Sequence, residues 1–309
     1  MDWIKFSWTD GSDVNYPSPT GYFIVDLSNI EINDRPVLEN AERTIKSIVE
    51  RNPPPYRLFL SGGIDSQAMA YVWLKSGVPF EAHSFIYDRN MNLHDITMLW
   101  EYSKEYNIPL THHHISHFDF LKNNLRDYSK KYSCNSPQIT FYMKMLDTFQ
   151  DGTSILSGNP IYNDSTFYNY TILGLQRYTN LTGKHVIPFF WNHTAYLTGA
   201  WEVKWHEIDN FLRKSKIKLE GHDFKTYLYQ ECDIPVNITY KKSGFEKYKL
   251  YFDRFKIDPW TRTKRLLNKT NRSKRNYDIL FRYSLMDENP CSTKRNVIGL
   301  NNDKLSYRF

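Results

Sequence analysis

The stretch YRLFLSGGIDSQAMAYVWLKSG, residues 56–77, decides how this chain is read. Tyr56 to Leu60 is a short apolar run of strand length. Ser61, Gly62 and Gly63 follow with no spacer, and from Gln67 to Lys75 the apolar residues Ala68, Met69, Val72 and Trp73 recur at helical spacing. Gly77, Val78 and Pro79 stop that helix. A strand that passes through two glycines directly into a helix makes an anion site. Glycine lets backbone N–H groups approach a ligand with no Cβ in the way, and the first N–H groups of a helix have no partner within it. The hydroxyls of Ser61 and Ser66 are further donors for phosphate oxygens. Asp65 suits one of two tasks, capping the helix or holding Mg²⁺ against a pyrophosphate. The loop has neither the GxxxxGK[ST] spacing of a P-loop NTPase nor the GxGxxG of a dinucleotide fold.

Outward from this loop the same rhythm repeats. Strands are expected at Glu81 to Tyr87, Pro109 to Ile115, Thr153 to Ser157 and His185 to Phe190. Helices are expected at Leu93 to Tyr106, Phe118 to Lys131 and Gln138 to Phe149. Short strands alternating with helices predict an α/β fold, a doubly wound and mostly parallel five-stranded sheet covered on both faces. Residues 1–52 read as a small preamble of two short strands, in DWIKFSW and GYFIVDLSNIEI, and a helix over 39–52 that ends at Pro53, Pro54 and Pro55. Residues 53–192 hold the phosphate loop and the sheet. Residues 193–309 read as a mainly helical, basic extension, with helices at Thr194 to Leu212 and Phe224 to Glu231 and more helical spacing over 245–285.

The motif SGGIDS, preceded by LFL, resembles the signature of the ATP pyrophosphatase (PP-loop) superfamily. That superfamily includes the synthetase domain of asparagine synthetase, NAD and GMP synthetases and the tRNA sulfurtransferases. The nearest resemblance, over residues 56–170, is to the asparagine-synthetase-like branch. It implies ATP and Mg²⁺ as cofactors, with Ser61, Gly62, Gly63, Asp65 and Ser66 around the nucleotide. Asp95 stands where that branch opens a helix with an acid. Asp88, with Arg89, stands just beyond the second strand, where the superfamily recognises nucleotide or substrate. ILSGNPIYND places Gly158 on the turn after the fourth strand and makes Asp164 the acid nearest to it, a second metal ligand beside Asp65. YKKSGFEKY resembles a pattern on the pyrophosphate side of such sites, which gives Lys241 or Lys242 the β- and γ-phosphates and lets Glu246 orient it.

The implied reaction cleaves ATP between its α- and β-phosphates. A carboxylate or carbonyl oxygen of a small-molecule substrate is adenylated, and ammonia or an amine then displaces AMP. A class-II glutaminase needs a cysteine at position 2, where this chain has Asp2, and no cysteine precedes Cys134. The ammonia or amine is therefore expected free or from a separate donor.

Composition sets the remaining bounds. The chain of 309 residues is 40% hydrophobic and 24% charged, in the globular range. No stretch has the length and apolarity of a membrane-spanning helix, and the N-terminus lacks the basic-then-apolar order of a signal peptide, so a cytoplasmic protein with no membrane partner is expected. The formal net charge of +6 is concentrated late, where RFKIDPWTRTKRLLNKTNRSKR crowds Lys and Arg against a single acid, Asp258. That run suits a solvated surface, or an RNA or nucleobase-modifying enzyme, though no nucleic-acid motif accompanies it. A non-catalytic nucleotide-binding module is the further alternative. His112, His113, His114 and His117 form a run that a metal could use, but on a strand only His112 and His114 share a face. Trp191, Trp201 and Trp205 suit helix packing or a stacking platform, and Cys134 is the one thiol near the motif region for sulfur transfer.

Overall fold

The computed structural model describes residues 3–8, 10–13, 23–26, 28–132, 134, 137–160, 170–219 and 221–237. A small antiparallel pair, β1 (Lys5–Trp8) and β2 (Phe23–Asp26), precedes helix α1 (Val37–Arg51). The main sheet holds β3 (Tyr56–Phe59), β4 (Glu81–Tyr87), β5 (Leu110–Ile115), β6 (Thr153–Leu156) and β7 (His185–Ile187). Its five strands run in the order β5-β4-β3-β6-β7, all parallel, as the sequence predicts. The chain builds outward from β3 through β4 to β5, then crosses back to β6 and β7. The strand order therefore reverses between β3 and β6, and the crevice beyond their carboxyl ends is where such sheets take ligands.

Alternation along β3 sorts the core onto two faces. Tyr56, Leu58 and Leu60 join one buried cluster with residues of α1, of α2 (Ile64–Ser76) and of α3 (Leu93–Glu105). The same cluster takes in Leu197 and Trp201 of α8 (Ala195–Ser215) and Leu228 and Tyr229 of α9 (Gly221–Gln230). Phe59 points the other way, toward Phe85, Phe118, Phe141 and Tyr178. That face is covered by short helices α4 (His117–Asp119) and α5 (Leu125–Lys131), then α6 (Pro137–Leu146) and α7 (Tyr170–Thr182). Early residues tie down the segment between β7 and α8: Trp3 Nε1 donates to the Asn192 carbonyl at 3.2 Å, and Thr44 and Thr194 share a hydroxyl contact at 2.8 Å.

Four local expectations change. The helix expected to start near Asp65 or Ser66 begins at Ile64, because Gly63 is itself the N-cap and the loop feeds straight into the first turn. The single helix expected over 118–131 is broken by a π-turn at Phe120–Asn124. The last strand ends at Ile187, just before Pro188, and Phe190–Asn192 form a 3₁₀ turn in place of a strand end. Helix α7 was not anticipated, because its glycine and three threonines read against a helix. The helical spacing over 245–285 and the basic run lie outside the described residues.

Candidate functional site

The loop from Ser61 to Ser66 lies at the carboxyl end of β3, on the switch-point side, and Gly62 fixes its shape. Gly62 has φ +80°, and a Cβ there would stand 2.1 Å from the carbonyl oxygen of Asp95. No side chain fits, so the loop passes directly against the first turn of α3. Asp95 thus opens α3 as expected, and its backbone serves as the wall behind the loop. Gln67 closes the loop from below: its Nε2 donates to the Gly62 carbonyl at 3.0 Å, and its Oε1 accepts from the Asn237 N–H at 2.9 Å.

The two serines divide their work. Ser66 is buried, donates to the Gly63 carbonyl at 2.8 Å and accepts from the Ser61 N–H at 3.3 Å, so it holds the loop's curvature from inside. Ser61 is exposed, and its Oγ lies 3.4 Å from Ser66 Oγ and accepts from the Gly63 N–H at 3.5 Å, beside the first N–H groups of α2.

Asp65 sits in the first turn of α2 but does not cap the helix, since the N-cap is Gly63 and no side chain serves it. Its carboxylate is instead taken by α9. Lys225 Nζ donates to Oδ1 at 3.0 Å and to Oδ2 at 2.9 Å, and the Tyr229 hydroxyl donates to Oδ1 at 3.0 Å. Lys225 Nζ also reaches Asn159 Oδ1 at 2.9 Å. The Asp65 carbonyl accepts from Trp191 Nε1 at 3.1 Å. The pair is sheltered, with side chains 17% (Asp65) and 19% (Lys225) exposed.

Gly158 takes the turn expected of it after β6, at φ +65°, where a Cβ would meet the Phe189 ring at 2.6 Å. The turn brings Asn159 to Lys225. Asp88 lies beyond β4 as expected, yet its Oδ2 accepts from the Phe118 N–H at 3.0 Å, which makes it a staple between the ends of β4 and β5. Arg89 beside it is exposed, in a left-handed backbone at φ 54°. Lys241, Lys242, Glu246 and Asp164 lie outside the described residues.

Sequence reasoning therefore found the loop and both turns and missed Lys225 and Tyr229. The signal available was slight: a lysine and a tyrosine four residues apart, hence on one face of the helix expected at 224–231. Nothing local tied that face to a loop 160 residues away.

The other candidates resolve into structure. His112 accepts from Trp100 Nε1 through Nε2 at 2.6 Å, which leaves its Nδ1 to donate to Ser84 Oγ, also at 2.6 Å. This fixes the neutral tautomer, in line with burial pushing the pKa of His112 down. His113 faces the other way and meets His83 at 2.9 Å, and His83 contacts Glu81 at 3.1 Å. Among the described residues no three His, Cys, Asp or Glu are grouped to hold a metal. Trp191 and Trp201 are fully buried, their rings 5.4 Å apart edge to face, so they belong to the core and offer no stacking surface. Cys134 is fully buried against Gly174, and burial pushes the Cys232 thiol up to about 12. Both thiols are shielded, unlike the partly exposed thiolates that react readily. No described helix is long and apolar enough to cross a membrane. Two open clefts, of about 440 and 400 Å³, lie away from the loop, along β5 and at the amino ends of β3 and β6.

No family model matches the chain, and no curated protein does. Among solved structures it is similar to the U34-tRNA thiolase NcsA from Methanococcus maripaludis, determined with its 4Fe–4S cluster. The identity is 15% over 88% of each chain, with a TM-score of 0.38. It is also similar to NMN synthetase from Francisella tularensis, at 15% identity over 63% of this chain and 92% of that one, with a TM-score of 0.27. Likenesses this distant leave the site to be read from its own residues.

Proposed function

We propose that this chain is an ATP-dependent, AMP- and pyrophosphate-forming enzyme of the PP-loop superfamily. It adenylates a small-molecule carboxylate or carbonyl oxygen before attack by ammonia or an amine. One observation carries this reading: a Ser-Gly-Gly loop at the switch point of a parallel sheet, forced by Gly62 into a shape that only glycine can take, opening onto a 13-residue helix with Asp65 in its first turn. The loop offers backbone N–H groups, the Ser61 hydroxyl and the positive end of the α2 dipole to an anion. Such a cradle favours the phosphate that leaves as charge builds on it, and stabilisation of developing charge is commonly the largest catalytic contribution. No side-chain nucleophile is needed when the substrate oxygen attacks the α-phosphorus.

In this reading Gly63 and Ser66 shape the cradle, Gly158 sets the opposite wall, and Asp88 steadies the rim. Lys241 or Lys242, outside the described residues, would add charge on the pyrophosphate side. When bound, Mg²⁺ would neutralise part of the phosphate charge. Three hydrogen bonds from Lys225 and Tyr229 already engage the Asp65 carboxylate, so Asp164 is the acid proposed for that task. The amine or ammonia comes free or from a separate donor.

The test is a screen of amino acids, nucleobases and small carboxylates for substrate-dependent pyrophosphate release, with ATP binding followed by calorimetry. Ser61→Ala and Asp65→Ala serve as controls. ATP binding that depends on the loop, with pyrophosphate released only in the presence of one acceptor class, is the expected result. Binding without release under every acceptor would make the chain a nucleotide-binding module. Absence of ATP binding would end the proposal.

A further inference from the structure

We infer that Lys225, held by Asp65, is the cation this site presents to the pyrophosphate of its nucleotide, and that Asn159 Oδ1 keeps the place of a phosphate oxygen. The inference rests on the ATP-dependent reading above and assigns the charge within it to a residue that the motif does not contain.

The argument begins with the valence of the ammonium. A lysine head has three N–H donors and no acceptor. Here three oxygens surround it: Asp65 Oδ1 at 3.0 Å, Asp65 Oδ2 at 2.9 Å and Asn159 Oδ1 at 2.9 Å. Two belong to the first turn of α2 and one to the turn after β6. Nζ therefore spans the crevice between β3 and β6, which is where phosphates bind in sheets of this kind. Its helix is anchored on the core side by Leu228 and Tyr229, both fully buried, so α9 delivers the amine to this point from a fixed base.

The three acceptors are unequal. The carboxylate is charged and is further held by the Tyr229 hydroxyl and, through its backbone carbonyl, by Trp191. The Asn159 oxygen is a neutral amide. A phosphate oxygen entering the crevice adds the Coulomb attraction of its own negative charge to the bond with the ammonium, which the neutral amide lacks, so the amide is the partner that yields. Asp65 stays bound to the amine on the side away from the ligand and sets its direction. It acts as a positioning residue, which explains why the acid of the motif carries a lysine. The sheltering of both side chains makes the interaction stronger than an exposed pair of the same geometry would be.

Calorimetry with ATP, inorganic pyrophosphate and AMP separates this role from a structural one, because AMP lacks the group that Lys225 is assigned. Lys225→Met is expected to weaken ATP and pyrophosphate about tenfold or more while AMP changes less than about twofold, and Lys225→Arg to recover most of the loss. The ratio of ATP to AMP affinity within one variant is insensitive to any unfolded fraction. Asn159→Asp is the second variant: a carboxylate facing Nζ keeps the fold but fills the phosphate position, so it is expected to weaken ATP and pyrophosphate and spare AMP. Asp65→Asn is expected to keep the Mg²⁺ dependence of ATP affinity while pyrophosphate release slows. Equal losses for ATP and AMP in Lys225→Met, no loss in Asn159→Asp, or an Asp65→Asn variant that no longer responds to Mg²⁺ would each overturn the inference while ATP binding by the natural protein stands. If the natural protein binds neither ATP nor pyrophosphate, the functional reading itself falls and takes this inference with it.

Discussion

Replacing Gly62 by alanine tests the loop where its physics is strictest, and Gly77→Ala supplies the control. Both glycines have left-handed backbones, Gly62 at φ +80° and Gly77 at φ +69°. Both alanines therefore incur the left-handed penalty, roughly 1–2 kcal/mol. Their surroundings differ. A Cβ on Gly77 meets nothing within 4 Å, whereas one on Gly62 stands 2.1 Å from the Asp95 carbonyl oxygen and 2.8 Å from its carbon. Those are backbone atoms in the first turn of a helix and cannot swing aside. Relief requires the loop and α3 to part by more than an ångström, the kind of overpacking that costs roughly 1–3 kcal/mol. Gly62→Ala should then lose roughly 2–5 kcal/mol. With an unfolding entropy of about 2 cal/mol/K per residue, the 309-residue chain gives a shift of about 1.5 °C for each kcal/mol. Scanning calorimetry should thus show Tm falling by about 3–8 °C in Gly62→Ala against about 1.5–3 °C in Gly77→Ala. ATP binding should be lost in the first variant alone. Equal Tm shifts in the two variants, or ATP binding retained in Gly62→Ala, would refute the claim that the close approach to Asp95 sets the loop.

Three other expectations follow from buried groups. Burial pushes His117 from 6.5 down to about 3, so between those pH values the unfolded chain binds a proton that the native state refuses. Stability contributed by the neutral imidazole is complete above about pH 6.5 and falls with pH at about 1.4 kcal/mol per unit; urea titrations at pH 7, 6 and 5 should show a shallower fall in His117→Phe. A Cys291→Ser variant should show no thiol reactive with an aromatic disulfide until denaturant is added, because Cys134 and Cys232 are both buried; rapid native labelling would revive sulfur transfer. Tyr229→Phe removes one of the donors to Asp65 and should cost about 1 kcal/mol in urea unfolding while leaving the ATP-to-AMP affinity ratio unchanged; a changed ratio would make the hydroxyl part of the ligand site.

How much of this was readable in advance depends on whether a feature is local. Strand β4 was expected at Glu81 to Tyr87 and lies there, because Gly77 to Pro79 punctuate its start and Phe85, Ile86 and Tyr87 carry strand propensity. The opposite facing of His112 and His113 follows from the two-residue period of a strand and is seen in their partners, Ser84 and His83. Helix α7 was illegible because its glycine is explained only in three dimensions: a Cβ on Gly174 would stand 2.7 Å from Cys134 Sγ, so glycine is what lets α7 close on Cys134. Gly62 could be read as permissive for an anion, but the Asp95 carbonyl that makes it obligatory lies 33 residues on and belongs to another element. Asp88 shows the limit from the other side. Its place beyond β4 was right, while its carboxylate turned out to serve the Phe118 N–H.

The contacts of the loop also bear on how the chain is organised. A phosphate loop of the kind proposed needs its first helix turn held still while charge moves across it, and a strand–glycine–helix segment cannot do this alone, since glycine gives freedom in proportion to the access it provides. Three outside groups supply the restraint: the Asp95 backbone from α3, the Trp191 indole from the turn after β7, and α9 through Lys225 and Tyr229. Gln67 adds a fourth by joining Gly62 to the backbone at Asn237. Two of these four come from beyond residue 192, where the sheet's own pattern ends. The helical extension is therefore part of the proposed phosphate site, and the elements that cover the sheet also brace the loop. A chain cut at residue 192 would keep every residue of the SGGIDS motif and lose Lys225, Tyr229 and the Asn237 clasp, so the motif without the extension should not hold ATP.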